Sequence, residues 1–446
     1  MSNVPMTNPE GVLAIHEEDY GHSSTYVELE NGDILHGAGV RFRRSGDGGL
    51  SWSEPFRFSD IKGTLVITEG LVKLSGSGIG CVAHGYLDTN ENLRCREQIF
   101  FWRSEDNGKT WESPIPVIPP MGMEFMGAGI HMLQDVLLRT SSGRIILPSY
   151  IGFTQKEVAA VRDGTAMHWP KGAGIPFPGS LFNNQFVSTS AHFSDPGFSA
   201  STVFYSDDDG KTWQQTRSNY LVLNLEFGGP YATRPEPTVT EISPGYLLMF
   251  MRTGLGRLYQ AWSYDDGETW TRPQPSALAA DRSPAQLRTL PGTNHLLCVW
   301  TQHNEEEIRR GLVRVRLSSA VSRTGGAIWE CFQNVESILE ETWVPPGPIR
   351  FVRPESVYNV DGMPAPVGDP KYMTPLPEGY GRWSYPSVFV YHDRVLVGHT
   401  YTKYDRQARG QGGSRLKVLP IKWFYGDADP TEEPPNIKTL AGPAKP

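Results

Sequence analysis

The sequence predicts an all-β protein, a six-bladed β-propeller of four-stranded antiparallel blades. Three observations predict it: a short motif, S-x-D-x-G-x-[ST]-W, recurs along the chain, a strand-like run precedes each full copy, and the copies are regularly spaced. RSGDGGLSW carries Ser45, Asp47, Gly49 and Trp52, and RSEDNGKTW carries Ser104, Asp106, Gly108 and Trp111. SDDDGKTW carries Ser206, Asp208, Gly210 and Trp213, and SYDDGETW carries Ser263, Asp265, Gly267 and Trp270. A fifth, worn copy, SRTGGAIW, keeps Ser322, Gly326 and Trp329 and has Thr324 in place of the Asp.

Each residue type in the motif has a local reason. An Asp carboxylate accepts N–H bonds from the residues just ahead of it and closes a turn. Gly takes the positive φ that other residues resist, and Trp packs a large ring beneath the turn. The runs VRFRR, QIFFWR, STVFY and LYQAW lead into the turns, so the motif is a hairpin between two strands. A calcium loop starting at Asp207 is excluded, because its twelfth position is Ser218 where a bidentate Glu is required. The turn aspartates are structural.

The motif tryptophans are separated by 59, 102, 57 and 59 residues. The long gap holds one hairpin, QDVLLRTSSGRIILPSYIG, and a stretch at 154–198 rich in Gly, Pro, Phe and Asn, which reads as an irregular surface insertion. The blades then fall at about 22–57, 65–117, 131–218, 234–275, 283–335 and 385–426, with a second insertion at 345–384 and a Pro-rich tail at 427–446. Unit six, YPSVFVYHDRVLVGHTYTK, lacks the Asp turn. GVLAIHE, residues 11–17, is expected to supply its last strand and close the ring without an exposed edge.

Composition narrows the function. At 446 residues the chain has room for two or three average domains, but closed all-β architectures of this size form one. No stretch reaches membrane-span length, and MSNVPMTNPE lacks a signal-peptide pattern, which leaves a cytoplasmic protein or one whose leader has been removed. Cys81, Cys95, Cys298 and Cys331 show no metal spacing and read as reduced packing residues. No zinc motif is present, and no cofactor or metal is expected. A net charge of −8 argues against nucleic acid, so local arginines must hold any anionic ligand. A homo-oligomer is left open.

Alternation of strands sorts the loops onto two faces. The Asp turns lie on the bottom and both insertions lie on top, where elaborated loops on a rigid scaffold carry function. The top-face positions gather His22 and His36; Glu69, His84, Arg94 and Arg96; His131, Gln134, Asp135 and Tyr150; Arg234, Glu236 and Arg252; Asp281, Arg282, His303 and one of Arg309, Arg310 or Arg314; and Arg382, Tyr385, His399 and Tyr401. This concentration of Arg, His, Glu and Tyr suits a pocket for an anion. The histidines at B-strand ends equally suit repeat-level packing.

The Asp turns, together with EPTVTEISPGYLLMFMRTGLGRLYQAWSYDDGETW, resemble the sialidase (neuraminidase) superfamily over nearly the whole chain. The resemblance implies that Glu236 is a base, Arg252 a carboxylate ligand, and Tyr385, in WSYPSVFVY, the nucleophile. A further clamp arginine maps to Arg314, or to Arg310 if that strand is longer. A carbon beside a carboxylate repels a carboxylate nucleophile, so a neutral Tyr polarised by Glu suits the attack. Paired arginines grip the carboxylate by bidentate bonds.

Two family positions differ. The first-blade Arg-Ile-Pro is replaced by GHSST, with His22 in the place of the Arg, and HGAGVRFRRS has no acid/base Asp. The proton donor is then Asp135, Asp281 or a histidine such as His22. The pattern is similar to sialidase-like proteins of uncertain substrate.

Three functions follow as expectations. The first is an exo-glycoside hydrolase on an acidic oligosaccharide or polysaccharide ending in a sialic or uronic acid, with Arg234, Arg282, Arg96, Arg382 and His131 as further substrate ligands. The second is a uronate lyase using His22 or Tyr385 as base. The third is a non-catalytic glycan-binding propeller.

Overall fold

The structure is a computed structural model and describes residues 11–17, 24–57, 64–86, 98–117, 128–131, 135–153, 179–182, 185–188, 198–218, 235–280, 282–309, 312, 314–349, 380–405 and 410–432. The first strand, β1 (Ala14–Glu17), belongs to the last blade. Blade 1 holds β2 (Ser24–Glu28), β3 (Ile34–Ala38) and β4 (Arg41–Ser45), with Phe56 bridging back to Phe42 in the fourth position. Blade 2 holds β5 (Thr64–Lys73), β6 (Ile79–Tyr86), β7 (Gln98–Ser104) and β8 (Ile115–Pro116). In blade 3, β9 (Ala128–His131) and β10 (Leu138–Arg139) both pair with β11 (Ile145–Phe153).

The stretch at 154–198, read as irregular, contains an antiparallel hairpin, β12 (Gly179–Phe182) and β13 (Gln185–Ser188). Four-residue strands, GSLF and QFVS, are too short for their alternation to stand out in a sequence. Blade 3 resumes with β14 (Phe198–Ser206) and β15 (Gln214–Gln215).

Blade 4 is β16 (Pro237–Ser243), β17 (Tyr246–Met251), β18 (Arg257–Ser263) and β19 (Gln274–Ala279). Blade 5 is β20 (Ala285–Thr289), β21 (Leu296–Thr301), β22 (Arg316–Ser322) and β23 (Glu330–Ser337). Blade 6 is β24 (Gly381–Tyr391), β25 (Arg394–Tyr404) and β26 (Gly410–Pro420), so its first strand begins inside the stretch read as the second insertion. β1 pairs antiparallel with β26, Ala14 opposite Val418 and Glu17 opposite Arg415, and completes that blade. The ring closes as expected, in six blades of antiparallel strands.

The Asp turns have the geometry their residues dictate. Asp106 accepts the backbone N–H groups of Lys109 and Thr110 at 2.9 and 2.8 Å and the Thr110 hydroxyl at 2.7 Å, and Ser104 Oγ accepts the Gly108 N–H at 2.8 Å. These bonds to the charged form outweigh the little burial it has and lower its pKa to about 2. In the worn copy Thr324 Oγ1 takes over and accepts the Ile328 N–H at 2.8 Å.

Gly210, at φ +83°, has a second reason to be glycine: a Cβ there would collide with the Phe101 ring of blade 2. The same approach recurs around the ring. Gly267 abuts Ile146, Gly326 abuts Leu248 and Gly49 abuts Leu396, each on the preceding blade. Trp213 packs edge-on against Phe101 at 5.1 Å and Trp329 lies 5.5 Å from Phe250. Turn and Trp are therefore a joint between blades, and the core is a series of apolar layers between neighbouring sheets.

Inner strands are joined by hydroxyls at matching positions. Thr25 Oγ1 of blade 1 accepts the Leu71 N–H of blade 2 at 2.8 Å, and Thr238 Oγ1 of blade 4 accepts the Leu287 N–H of blade 5 at 3.2 Å. Near the closure, buried Glu336 meets Arg415 at 2.7 Å, Lys417 at 2.9 Å and His399 at 3.5 Å, while Arg415 also reaches Glu17 of β1 at 2.7 Å. Burial works to raise the Glu336 pKa, but the His399 imidazole and the Lys417 and Arg415 charges outweigh it and hold the carboxyl well below its usual range.

A depressed folded-state pKa adds stability that is present above the unfolded carboxylate value and lost as pH falls through the folded one. Glu336→Gln is expected to destabilise the protein by about 3–5 kcal/mol near neutral pH, because buried Lys417 loses its carboxylate and Arg415 keeps only Glu17. The gap to the parent should narrow below about pH 4. Urea titrations across pH measure both; a pH-independent gap would remove the ionic explanation.

Candidate active site

Register places the first pair. Pro237 faces Met251 across the β16–β17 hairpin, so Glu236 and Arg252 follow one step beyond on the same rim. Arg252 Nη1 donates to Glu236 Oε2 at 2.7 Å, with side-chain exposures of 12% and 6%. Such a pair is largely withdrawn from water, and neither charge is tolerable there alone. Burial opposes the Arg252 charge, but Glu236, then the Tyr385 and Tyr150 phenols, outweigh it and raise its pKa above the ordinary arginine value. Groups from blades 3, 4 and 6 thus lie within electrostatic range of Arg252.

Tyr385 arrives from blade 6 through a break in pairing. Ser384 faces Thr400 and Ser387 faces Gly398, so Tyr385 and Pro386 together oppose His399. This is a β-bulge, a device that re-aims a side chain. Tyr385 sits at φ +54°, unfavourable for a bulky residue, and Pro386 has no N–H to restore the ladder. Its half-buried ring packs against the apolar cluster containing Val72 and Val136, so it extends from blade 6 toward blades 2 and 3.

Arg314 comes from blade 5, also at positive φ (+56°). Its guanidinium carbon lies 5.0 Å from the centre of the Tyr385 ring. Nη1 donates to Ser384 Oγ at 3.0 Å, Nη2 to the Arg282 carbonyl at 3.4 Å, and the Arg314 carbonyl accepts the Trp383 N–H at 2.8 Å. Of the two positions considered for this arginine, Arg314 stands beside the tyrosine, and Arg310 lies outside the described residues.

Asp135 differs from its expectation as a proton donor. Its carboxylate, buried at 5% exposure, accepts four bonds: from Thr25 Oγ1 (3.0 Å) and the Tyr26 N–H (3.3 Å) on Oδ1, and from Arg288 Nη2 (3.0 Å) and the Val388 N–H (3.2 Å) on Oδ2. A carboxylate has about four acceptor positions, and these four donors occupy them. Burial nonetheless pushes its pKa up to about 6, against Arg288 and the other donors.

The other expected residues sort as follows. His22, Asp281, Arg234 and Arg96 lie outside the described residues, and His131 is placed by its backbone, opposite Tyr150. Arg382 sits between the Tyr380 and Tyr404 rings at 5.7 and 5.2 Å, with Nε donating to Tyr380 Oη at 3.0 Å. His36 is buried mid-strand, 3.1 Å from Ser24 Oγ, tilted against Tyr26 and edge-on to Trp52; burial lowers its pKa to about 3. With His399 in the Glu336 cluster, these two histidines have packing surroundings. Tyr150, on the top-face list without an assigned role, proves to neighbour Arg252. Its signal was its place near the end of the second strand of blade 3.

A polar concavity on the bottom face is made by the turns themselves. Its Arg144 is bidentate to Asp207 at 2.6 and 2.9 Å and stacks on Tyr205, so these charges are mutually paired. Among the described residues no group of three or more His, Cys, Asp and Glu side chains is arranged to hold a metal.

Comparison with known proteins agrees with this architecture. NanB sialidase from Streptococcus pneumoniae superposes with a TM-score of 0.53 at 13% identity, over 95% of this chain and 73% of that one. A protein of unknown function from Dyadobacter fermentans gives 0.49 at 16% identity, over 93% and 99%. A variant of Trypanosoma rangeli sialidase displaying trans-sialidase activity gives 0.48 at 14%, over 94% of this chain, which spans 58% of that one. The family profile described as BNR repeat-like domain matches residues 86–397. With that match extending over more than half its length, and six blades of which four carry the full Asp turn, the chain belongs to the BNR repeat-like domain family as a sialidase-like propeller.

Proposed function

We propose that this protein is a glycoside hydrolase that removes a carboxylated sugar, a sialic or uronic acid, from the end of a glycan. The observation that carries the reading is the convergence of Tyr385, Arg314, Arg252 and Glu236 from three blades, with unfavourable backbone at both Tyr385 and Arg314. Such strain persists at about 1–3 kcal/mol per residue only where the surroundings enforce it, and it clusters at functional sites.

In this reading Arg252 and Arg314 grip the sugar carboxylate, with Arg282, Arg234, Arg310, Arg96, Arg382 and His131 as the further ligands of the rim. Arg252 holds Glu236 in the free protein. An incoming carboxylate competes for that guanidinium and releases Glu236 to take the proton from Tyr385 Oη. The phenolate oxygen then attacks the anomeric carbon, and the bond to the leaving-group oxygen breaks as that oxygen is protonated. His22 or Asp281 supplies that proton. Water later cleaves the tyrosyl–sugar bond, with the same group as base.

A uronate lyase is the second reading, favoured by one observation. With Asp135 fully hydrogen-bonded, the described rim offers Glu236 as its acid group near the tyrosine. A lyase needs only arginines to acidify the proton beside the carboxylate and a base such as Tyr385 or His22 to remove it.

Tyr385→Phe is expected to lower kcat by at least about 10²-fold with a melting temperature within about 2 °C of the parent, measured on a panel of acidic glycans. Full activity in that variant overturns the assignment, and an unsaturated, ultraviolet-absorbing product identifies the lyase. Arg252→Met should cost about 3–5 kcal/mol by stranding Glu236, and Arg252→Met with Glu236→Gln should recover part of that loss. Additive denaturation energies would mean that the two side chains do not act as a pair.

A further inference from the structure

We propose that Asp135 is a positioning residue for Tyr385, acting from the inner strands of the ring on the bulge that aims the phenol. The bulge has a clamp on each side. Before it, Ser384 is held by Arg314 at 3.0 Å, and its carbonyl accepts the Thr400 hydroxyl at 2.9 Å. After it, the strand resumes at Ser387, and the next N–H, of Val388, donates to Asp135 Oδ2 at 3.2 Å. Asp135 is 253 residues away in sequence and is the side chain that anchors this end of the bulge.

Asp135 is itself over-determined, as a rigid anchor must be. It sits at φ +59°, and its N–H is held by the Glu69 carbonyl at 2.7 Å. Arg288 grips both its carbonyl and its carboxylate and is fixed in turn by Gln286 Oε1 and the Leu287 carbonyl, each at 2.9 Å. Thr25 Oγ1 donates to it at 3.0 Å while accepting the Leu71 N–H at 2.8 Å. One carboxyl residue thus ties the inner strands of blades 1, 2, 5 and 6 to the start of blade 3. The bond to Val388 makes that hub a support for the strand carrying the proposed nucleophile. The catalytic consequence rests on the reading of Tyr385 as the attacking group; the positional claim does not.

The test separates the two. The full chain is labelled with 3-fluorotyrosine, and the Tyr385 resonance is assigned by its loss in Tyr385→Phe. Asp135→Asn turns one carboxylate oxygen into an NH2 donor, so the four donors on it, Val388 N–H among them, are left with one acceptor oxygen. It should shift or split the Tyr385 fluorine signal by more than its linewidth. If Tyr385 is the attacking group, kcat should also fall by about 100-fold with KM within about threefold. Thr25→Ala removes a bond on the opposite side of the same carboxylate; it should lower the melting temperature yet leave the Tyr385 signal in place. If Asp135→Asn does not fold, Asp135→Glu, which moves the charge by one methylene, is read by the same criterion. A Tyr385 signal unmoved at position 135, or moved equally by Thr25→Ala, overturns the proposal. Full activity in Tyr385→Phe overturns the catalytic reading instead, and leaves the fluorine result to decide the positional one.

Discussion

A ring of sheets stands or falls on its closure. The last blade has three strands of its own, and its fourth position is filled by Ala14–Glu17 paired along β26. Without that pairing, the outer strand of blade 6 would present a row of open N–H and carbonyl groups. The neighbouring Glu336–Arg415–Glu17 bridge ties the closing strand to blade 5 as well as to its own sheet.

The repeated turn does more than reverse the chain. Its glycine abuts the preceding sheet and its tryptophan fills the space beside it, so the same residues set both the hairpin and the spacing of neighbouring blades. This explains why the worn copy keeps Gly326 and Trp329 while losing its Asp. Thr324 can close the turn with a hydroxyl, but a side chain at position 326 would crowd Leu248 and sit at a positive φ that L residues resist.

The fold was therefore easy to read, because its information is local and repeated: five turns, regular spacing, alternating strands. Glu236 and Arg252 were legible for the same reason, as the two ends of one hairpin. Arg314 could be narrowed only to a pair of positions, since a single residue of strand length decides it and the worn turn blurs the count. Asp135 was read for its chemistry and not its connections; its partners come from four other blades and share no sequence pattern. The strain at Tyr385 also had no signature beyond the following Pro386. Long-range hydrogen bonds and bulges are products of assembly, and a single chain read in order does not display them.

The closing strand has a kinetic consequence. Glu17 and its partner Arg415 are 398 residues apart, so β1 leaves the ribosome well before the strand it pairs with. At about 5–20 residues per second that delay is of order tens of seconds. During it five blades can stack in order of synthesis, each on the one before, while β1 stays unpaired. Its sequence, AIHE, ends on a charged residue, and Glu17 on so short a strand guards it against premature pairing with another chain.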